Sequence, residues 1–278
     1  MDATTTVRPD RPANDDQFGD PFFKRFTLRP GPAPLDLGDG IAKTYPFPTL
    51  YHNVGCAIGI FLADYGAARA LMPHPKIRPV PMPRGRALVI FSSYEYRQVL
   101  QVWPYNEIAM TIPVLVRSGL VPRFGYYVFA MPVTSKENQL RGNKIWGLPK
   151  VTQAIDIERR GGDCVTTARE ADGTPYLELT VPTTGAARDF DVAGHLYSKL
   201  DGRMLKSRTC FQGRFAVTKH LRVLLGRGLA PDREYLKLGP GPSAQPLRAL
   251  GIEPHPFQLR YTASMNAAFD LPIQGFAL

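Results

Sequence analysis

Cysteine is scarce in this chain: three in 278 residues, at positions 56, 164 and 210, odd in number and in no C-x-x-C spacing. That excludes a disulfide framework and a cysteine-based zinc site, and the three read as core thiols. Long hydrophobic runs are missing too. The longest, Cys56 to Ala63, is interrupted only by glycine and is far too short to span a bilayer. The polar start, MDATTTVRPDRPANDDQFGD, lacks the apolar stretch of a signal peptide. The expectation is a cytoplasmic chain with no membrane partner. Histidine is sparse, and His52, His74, His195, His220 and His255 share no ligand spacing, so no metal is expected.

The nucleotide-binding and hydrolase signatures are absent as well. No G-x-G-x-x-G follows a strand, and G-x-x-x-x-G-K-[ST], G-x-S-x-G and H-E-x-x-H do not occur. The stretch GPGPSAQP at Gly239 to Pro246 is glycine-rich, but its prolines remove the amides that would cradle a phosphate. No cofactor is expected. Acidic residues are the minority: 24 Asp and Glu against 34 Lys and Arg, for a net charge of +10. Nucleic acid is the first partner such a balance suggests. The basic residues are spread along the whole chain, however, with no recognition motif beside them. A basic field that draws small anions to a pocket is the simpler reading, and no nucleic-acid partner is expected.

What is present is strand pattern. Residues 1–44 are rich in Pro, Gly and Asp and lack periodicity, which suggests a mobile or wrapping arm ahead of one domain over 45–278. Strands are expected at Cys56 to Ala63, Ala87 to Tyr96, Glu107 to Val116, Phe124 to Val133, Tyr176 to Val181, Thr209 to Lys219 and Phe257 to Met265. Asp64 should cap a short helix through Met72, stopped by Pro73, and Ser135 a polar one running to Trp146. A strand opening at Lys150, with Val151, Ile155 and Ile157 on one face, should pair with Cys164 to Ala168. Many strands with few helices define a β-rich α+β domain.

Two residues stand out against this background. After Glu107, the run IAMTIPVLV is apolar on both faces, so the strand is expected to be covered on both sides. A carboxylate at its mouth is then partly desolvated and suited to acid–base work, although a solvated strand end is the commoner situation. Lys150 follows Pro149 at the start of a strand. A lysine there is usually exposed; an inward one would be a nucleophile.

The combination changes the balance. PYNE (Pro104 to Glu107), continuing into IPV (Ile112 to Val114), is followed later by GNKIWGLPK (Gly142 to Lys150), in which Gly, polar residues, an aliphatic and a few more residues lead to Pro-Lys. This resembles the acetoacetate decarboxylase-like superfamily, from about Tyr45 to the C-terminus. The resemblance implies antiparallel sheets in a cone-like or barrel-like fold around an apolar pocket, and a homo-oligomer. It implies that Lys150 forms a Schiff base with a keto acid and that Glu107 is the pocket carboxylate.

The pattern also departs from that of the family's decarboxylases. They carry two lysines in succession, and here the second position is Val151. An upstream arginine that receives the substrate carboxylate aligns with Asn53, and a second acid falls among Val89, Ile90 and Phe91. Other branches use the same lysine for aldol condensation and dehydration, or for hydration of 2-oxo acids, and keep a tyrosine two residues before the carboxylate, where Tyr105 stands. Tyr261 is a further pocket residue on this reading. The resemblance thus implies a lyase acting as aldolase-dehydratase, as hydratase of 2-oxo acids, or as decarboxylase of a β-keto acid. The alternative is a non-catalytic binder of an apolar small molecule in the same fold.

Overall fold

The computed structural model describes residues 7, 8, 10, 12–117 and 121–277. Its frame is seven strands: β1 (Thr49–Asp64), β2 (Arg86–Val99), β3 (Tyr105–Val116), β4 (Arg123–Val133), β5 (Ala186–Leu200), β6 (Arg203–Lys219) and β7 (Pro256–Ala277). They pair in the order β4-β5-β6-β7-β1-β2-β3, and β3 pairs again with β4 to close the sheet into a barrel. The β4–β5 pair is parallel, through Tyr126 and Leu196, and every other barrel pair is antiparallel, which makes the barrel mixed. Closure removes the unpaired edges that an open sheet of this length would present.

A second, four-stranded sheet lies against the outside of the barrel. It pairs Ile155–Arg160, Asp163–Arg169, Pro175–Pro182 and Leu236–Leu238 in that order. Its Leu177, Leu179 and Val181 share one core with Phe61 of β1, Phe91 of β2 and Ile108, Met110 and Ile112 of β3. The even-numbered face of β3 therefore meets this outer sheet, while Glu107, Ala109 and Thr111 face the barrel interior. The two apolar faces read in IAMTIPVLV are the inside and outside of a covered barrel wall.

Helix α1 (Tyr65–Ala70) starts where Asp64 Oδ1 accepts the Ala67 amide at 2.8 Å, and helix α2 (Lys136–Trp146) where Ser135 Oγ accepts from Asn138 N at 3.3 Å. No helix among the described residues is long and apolar enough to cross a membrane.

Three expectations change. The stretch opening at Lys150 is split: Lys150–Thr152 joins the barrel, parallel to β4 with Lys150 beside Met131, and only Ile155–Arg160 pairs with Asp163–Arg169. Val151 consequently faces solvent, at 48% exposure, whereas Ile155 is buried; the break at Gln153–Ala154 puts them on different sheets. The long strand β5 has no counterpart in the expected set. Much of it is an exposed ribbon against β6, so its charged residues hide the alternation that marks a half-buried strand. Finally, ordered structure, expected from the sequence to start around Tyr45, begins earlier: Leu35–Gly38 and Ile41–Lys43 form a hairpin, and Phe22 and Phe23 bury themselves against Leu50 and Leu100. The described part of the arm wraps the barrel.

Candidate active site

Lys150 is positioned by α2 and the turn after it. Gly147 ends the helix in the left-handed conformation (φ 58°), its amide bonded to the Asn143 carbonyl. A side chain there would also strike the Lys199 carbonyl, so glycine is required. The chain then turns back through Leu148 and Pro149. Asn143 grips the Lys150 backbone from both sides: its Oδ1 accepts from Lys150 N at 3.1 Å and its Nδ2 donates to Lys150 O at 3.2 Å. The side chain passes over Gly142, where a Cβ would overlap Lys150 Cδ and lie 2.7 Å from Cε. Glycine in mid-helix is thus the channel for the lysine stem.

Lys150 points inward. It is 7% exposed, Glu107 is 4% exposed, and Nζ donates to Glu107 Oε2 at 2.5 Å. Both line a cavity of about 200 Å³ in the barrel. Tyr105 lines it too, with Lys150 Nζ 5.7 Å from its ring centroid. Tyr96 packs against Tyr105 at 4.7 Å, and its hydroxyl lies 3.5 Å from Glu107 Oε1. Tyr51 and Tyr94 complete a cluster of four phenols, of which Tyr51 and Tyr105 are buried and Tyr94 and Tyr96 partly so. Burial pushes the hydroxyls of Tyr96 and Tyr105 well above the ordinary tyrosine range and that of Tyr51 up to about 12, so all three stay protonated near neutrality.

Lys150, Glu107 and Tyr105 are therefore brought together. Asn53 and Tyr261 are not. Asn53 has a left-handed backbone (φ 53°), its Oδ1 accepts from Arg97 at 3.1 Å, and it does not line the cavity. Tyr261 is packed in the core between barrel and outer sheet, its hydroxyl accepting from Arg159 Nε at 2.8 Å. Inward and outward positions alternate along β7, and Arg260, one residue earlier, is the one that faces the cavity. Of the three positions where a second acid was sought, Val89 and Phe91 are in the outer core and only Ile90 lines the cavity.

Arg141 was not anticipated. It is 2% exposed, lines the cavity, donates to Asn138 Oδ1 at 2.9 Å and to Thr49 Oγ1 at 3.2 Å, and its buried Nε has no partner. The Tyr45 ring lies 4.2 Å from its guanidinium carbon, and the Tyr45 hydroxyl donates to Glu137 Oε1 at 2.5 Å. Lys43 pairs with the same Glu137 oxygen at 3.4 Å. The arm thus braces the helix that carries Arg141. The buried stripe of α2 is Glu137, Asn138, Arg141, Gly142 and Trp146. Its spacing is helical, but its polar make-up is invisible to a search for apolar periodicity. Among the described residues, no group of three or more His, Cys, Asp or Glu side chains could hold a metal ion.

The closed, mixed seven-stranded barrel is a fold that solved structures share. An acetoacetate decarboxylase from Legionella pneumophila subsp. pneumophila str. Philadelphia 1 superposes with a TM-score of 0.63 at 14% identity, covering 98% of both chains. The enduracididine biosynthesis enzyme MppR in complex with pyruvate gives 0.56 at 13% identity, over 83% of this chain and 91% of that one. MppR is also known in complex with the condensation product of pyruvate and imidazole 4-carboxaldehyde. An acetoacetate decarboxylase-like enzyme from Sphingomonas wittichii RW1 gives 0.53 at 14% identity, over 81% and 92%. No curated protein matches the chain in sequence. The acetoacetate decarboxylase family profile matches residues 33–220, and the chain belongs to that family as a divergent member.

Proposed function

We propose that this protein is a Schiff-base-forming lyase acting on a keto acid through Lys150, with Glu107 as its proton carrier. The observation that carries this reading is a buried amine and carboxylate 2.5 Å apart on the wall of one cavity. In the ion pair the nitrogen has no free electron pair. A proton must cross to Glu107 before Nζ can add to the ketone carbon. The resulting carbinolamine loses its oxygen as water, taking back a proton from Glu107, and leaves a protonated imine. That cation draws electrons from a neighbouring bond, either C–H, whose proton passes to the Glu107 carboxylate to leave an enamine, or C–CO2⁻, releasing carbon dioxide.

Aldolase-dehydratase or hydratase chemistry on 2-oxo acids comes ahead of plain decarboxylation. Glu107 is the sole carboxylate among the described lining residues, and Tyr105 adds a protonated hydroxyl near the lysine. An enamine could attack an aldehyde while Glu107 and Tyr105 exchange the protons of the new hydroxyl. The likeness to an enzyme solved with pyruvate and with a condensation product supports this order. Arg141, held by neutral partners, would receive the carboxylate beside the ketone. A cytoplasmic homo-oligomer belongs to the same proposal.

Incubation with pyruvate or acetoacetate followed by borohydride tests it. A mass increase on the peptide holding Lys150 is the expected result. Binding of a keto acid without any such adduct would instead mark a non-catalytic binder.

A further inference from the structure

The cavity's charges do not balance. Among the described residues its lining holds three cations, Arg141, Lys150 and Arg260, against one carboxylate, Glu107, and that carboxylate belongs to Lys150. Neither arginine has an ion-pair partner among the described residues. Arg260 is half-buried. Its Nε donates to Gln258 Oε1 at 2.7 Å and its guanidinium carbon lies 5.0 Å from the centre of the Phe190 ring. Among the described residues, no hydrogen bond or ion pair engages its two terminal nitrogens. Burial works against this charge, lowering the arginine's pKa, yet a guanidinium stays protonated at any ordinary pH. A buried cation without a counter-charge is costly, and it is retained most economically where a ligand brings the missing anion.

The two arginines lie on opposite sides of the lysine. Strand register gives their order along β1. Arg141 bonds to Thr49, at the start of that strand. Glu107 sits in the row running through Tyr94, Cys56 and Thr262. Arg260 sits in the row beyond it, through Ile58 and Ser92. Two residues along a strand is about 7 Å, so Arg260 is one cavity-facing layer past Glu107, on the wall across the barrel. Tyr94 lines the cavity in the row of Glu107, and Ile58 and Ala109 line it in the row of Arg260.

We propose that the substrate or product of this site is a keto diacid, with one carboxylate on Arg141, the carbonyl carbon at Lys150 and the second carboxylate on Arg260. The inference rests on the Schiff-base reading for the middle position, but the two anion sites stand apart from it. Arg260 is the specificity-determining residue, choosing a charged tail over an apolar one.

Two measurements separate the claims. In the first, borohydride trapping at Lys150 is followed against concentration for 2-oxoglutarate and 2-oxopentanoate, which share five carbons and differ in the tail carboxylate, and for the six-carbon pair 2-oxoadipate and 2-oxohexanoate. A charged hydrogen bond gives an expected preference for the diacid of about 10- to 100-fold in half-saturating concentration. Arg260→Gln should collapse that ratio toward one, and Arg260→Lys should restore part of it. In the second, calorimetry compares glutarate with pentanoate, neither of which can form an imine. Tighter glutarate binding with no adduct from any keto acid would uphold the two anion sites and sink the imine. Adducts formed with no diacid preference at either length would uphold the imine and overturn this proposal. The wild-type preference needs no variant, so a misfolded Arg260→Gln would not rescue the idea.

Discussion

Gly142→Ala is the smallest change that should disable the lysine while leaving the barrel standing. The added Cβ would overlap Lys150 Cδ and lie 2.7 Å from Cε, where ordinary contacts begin at 3.4 Å. The obstacle is a flexible stem, so the backbone can stay and the lysine must yield. Alanine is favoured over glycine in a helix interior by about 1 kcal/mol, and overpacking costs about 1–3 kcal/mol, so the fold should change by no more than about 2 kcal/mol. The lysine, however, must retreat by about 1 Å, and misplacement on that scale can cost about 10²-fold in rate. Nζ should then draw back from its 2.5 Å contact with Glu107 while the two charges stay paired in the cavity. The assay is the rate of borohydride trapping with pyruvate, alongside a thermal melt. Trapping should slow about 10²-fold with a melting temperature shifted by only a few degrees. Wild-type trapping in a folded Gly142→Ala protein would refute the argument that this glycine is the passage for the stem.

Lys150→Arg keeps the positive charge opposite Glu107 but cannot form an imine, because guanidinium stays protonated; turnover and trapping should both vanish, and residual wild-type turnover would end the Schiff-base reading. Glu107→Gln should slow turnover by about 10²–10⁴-fold. It also leaves the buried Lys150 ammonium without its counter-charge, so a loss of about 3–5 kcal/mol in a denaturant titration accompanies it; an unchanged turnover number would return Glu107 to a structural role. Alkaline stability offers a test that needs no substrate. Burial raises the Tyr51 hydroxyl from 10.0 to about 12, so the folded chain holds that proton more tightly than the unfolded chain. The stabilisation is complete below about pH 10 and is lost as pH rises through about 12, about 3 kcal/mol for this group at ~1.4 kcal/mol per unit. A flat stability profile across that window would contradict the burial of the tyrosine cluster.

The chain's local chemistry was legible wherever a residue's role depends on its neighbours in sequence. Ser135 and Asp64 cap the helices that follow them, because a side-chain oxygen there needs only the next turn of amides. The double-sided apolar pattern after Glu107 announced a strand covered on both faces, and the order of the PYNE and GNKIWGLPK stretches pointed to the family. Tertiary structure decided the rest. Whether Lys150 faces a cavity or solvent depends on which strand its three residues join, and that strand is β4, not the hairpin partner suggested by proximity. Asn53 and Tyr261 fell away because pairing decides which side of a strand faces inward: Asn53 is turned to Arg97, and Tyr261 faces the outer sheet while Arg260, one residue earlier, faces the cavity. Arg141 stayed hidden because a buried polar stripe carries no hydrophobic signal, and because its partner Thr49 is 92 residues away. Sequence determines what each segment can become. Closure of the barrel determines which of those side chains share one enclosed space, since only long-range pairing sets the register that aims them inward.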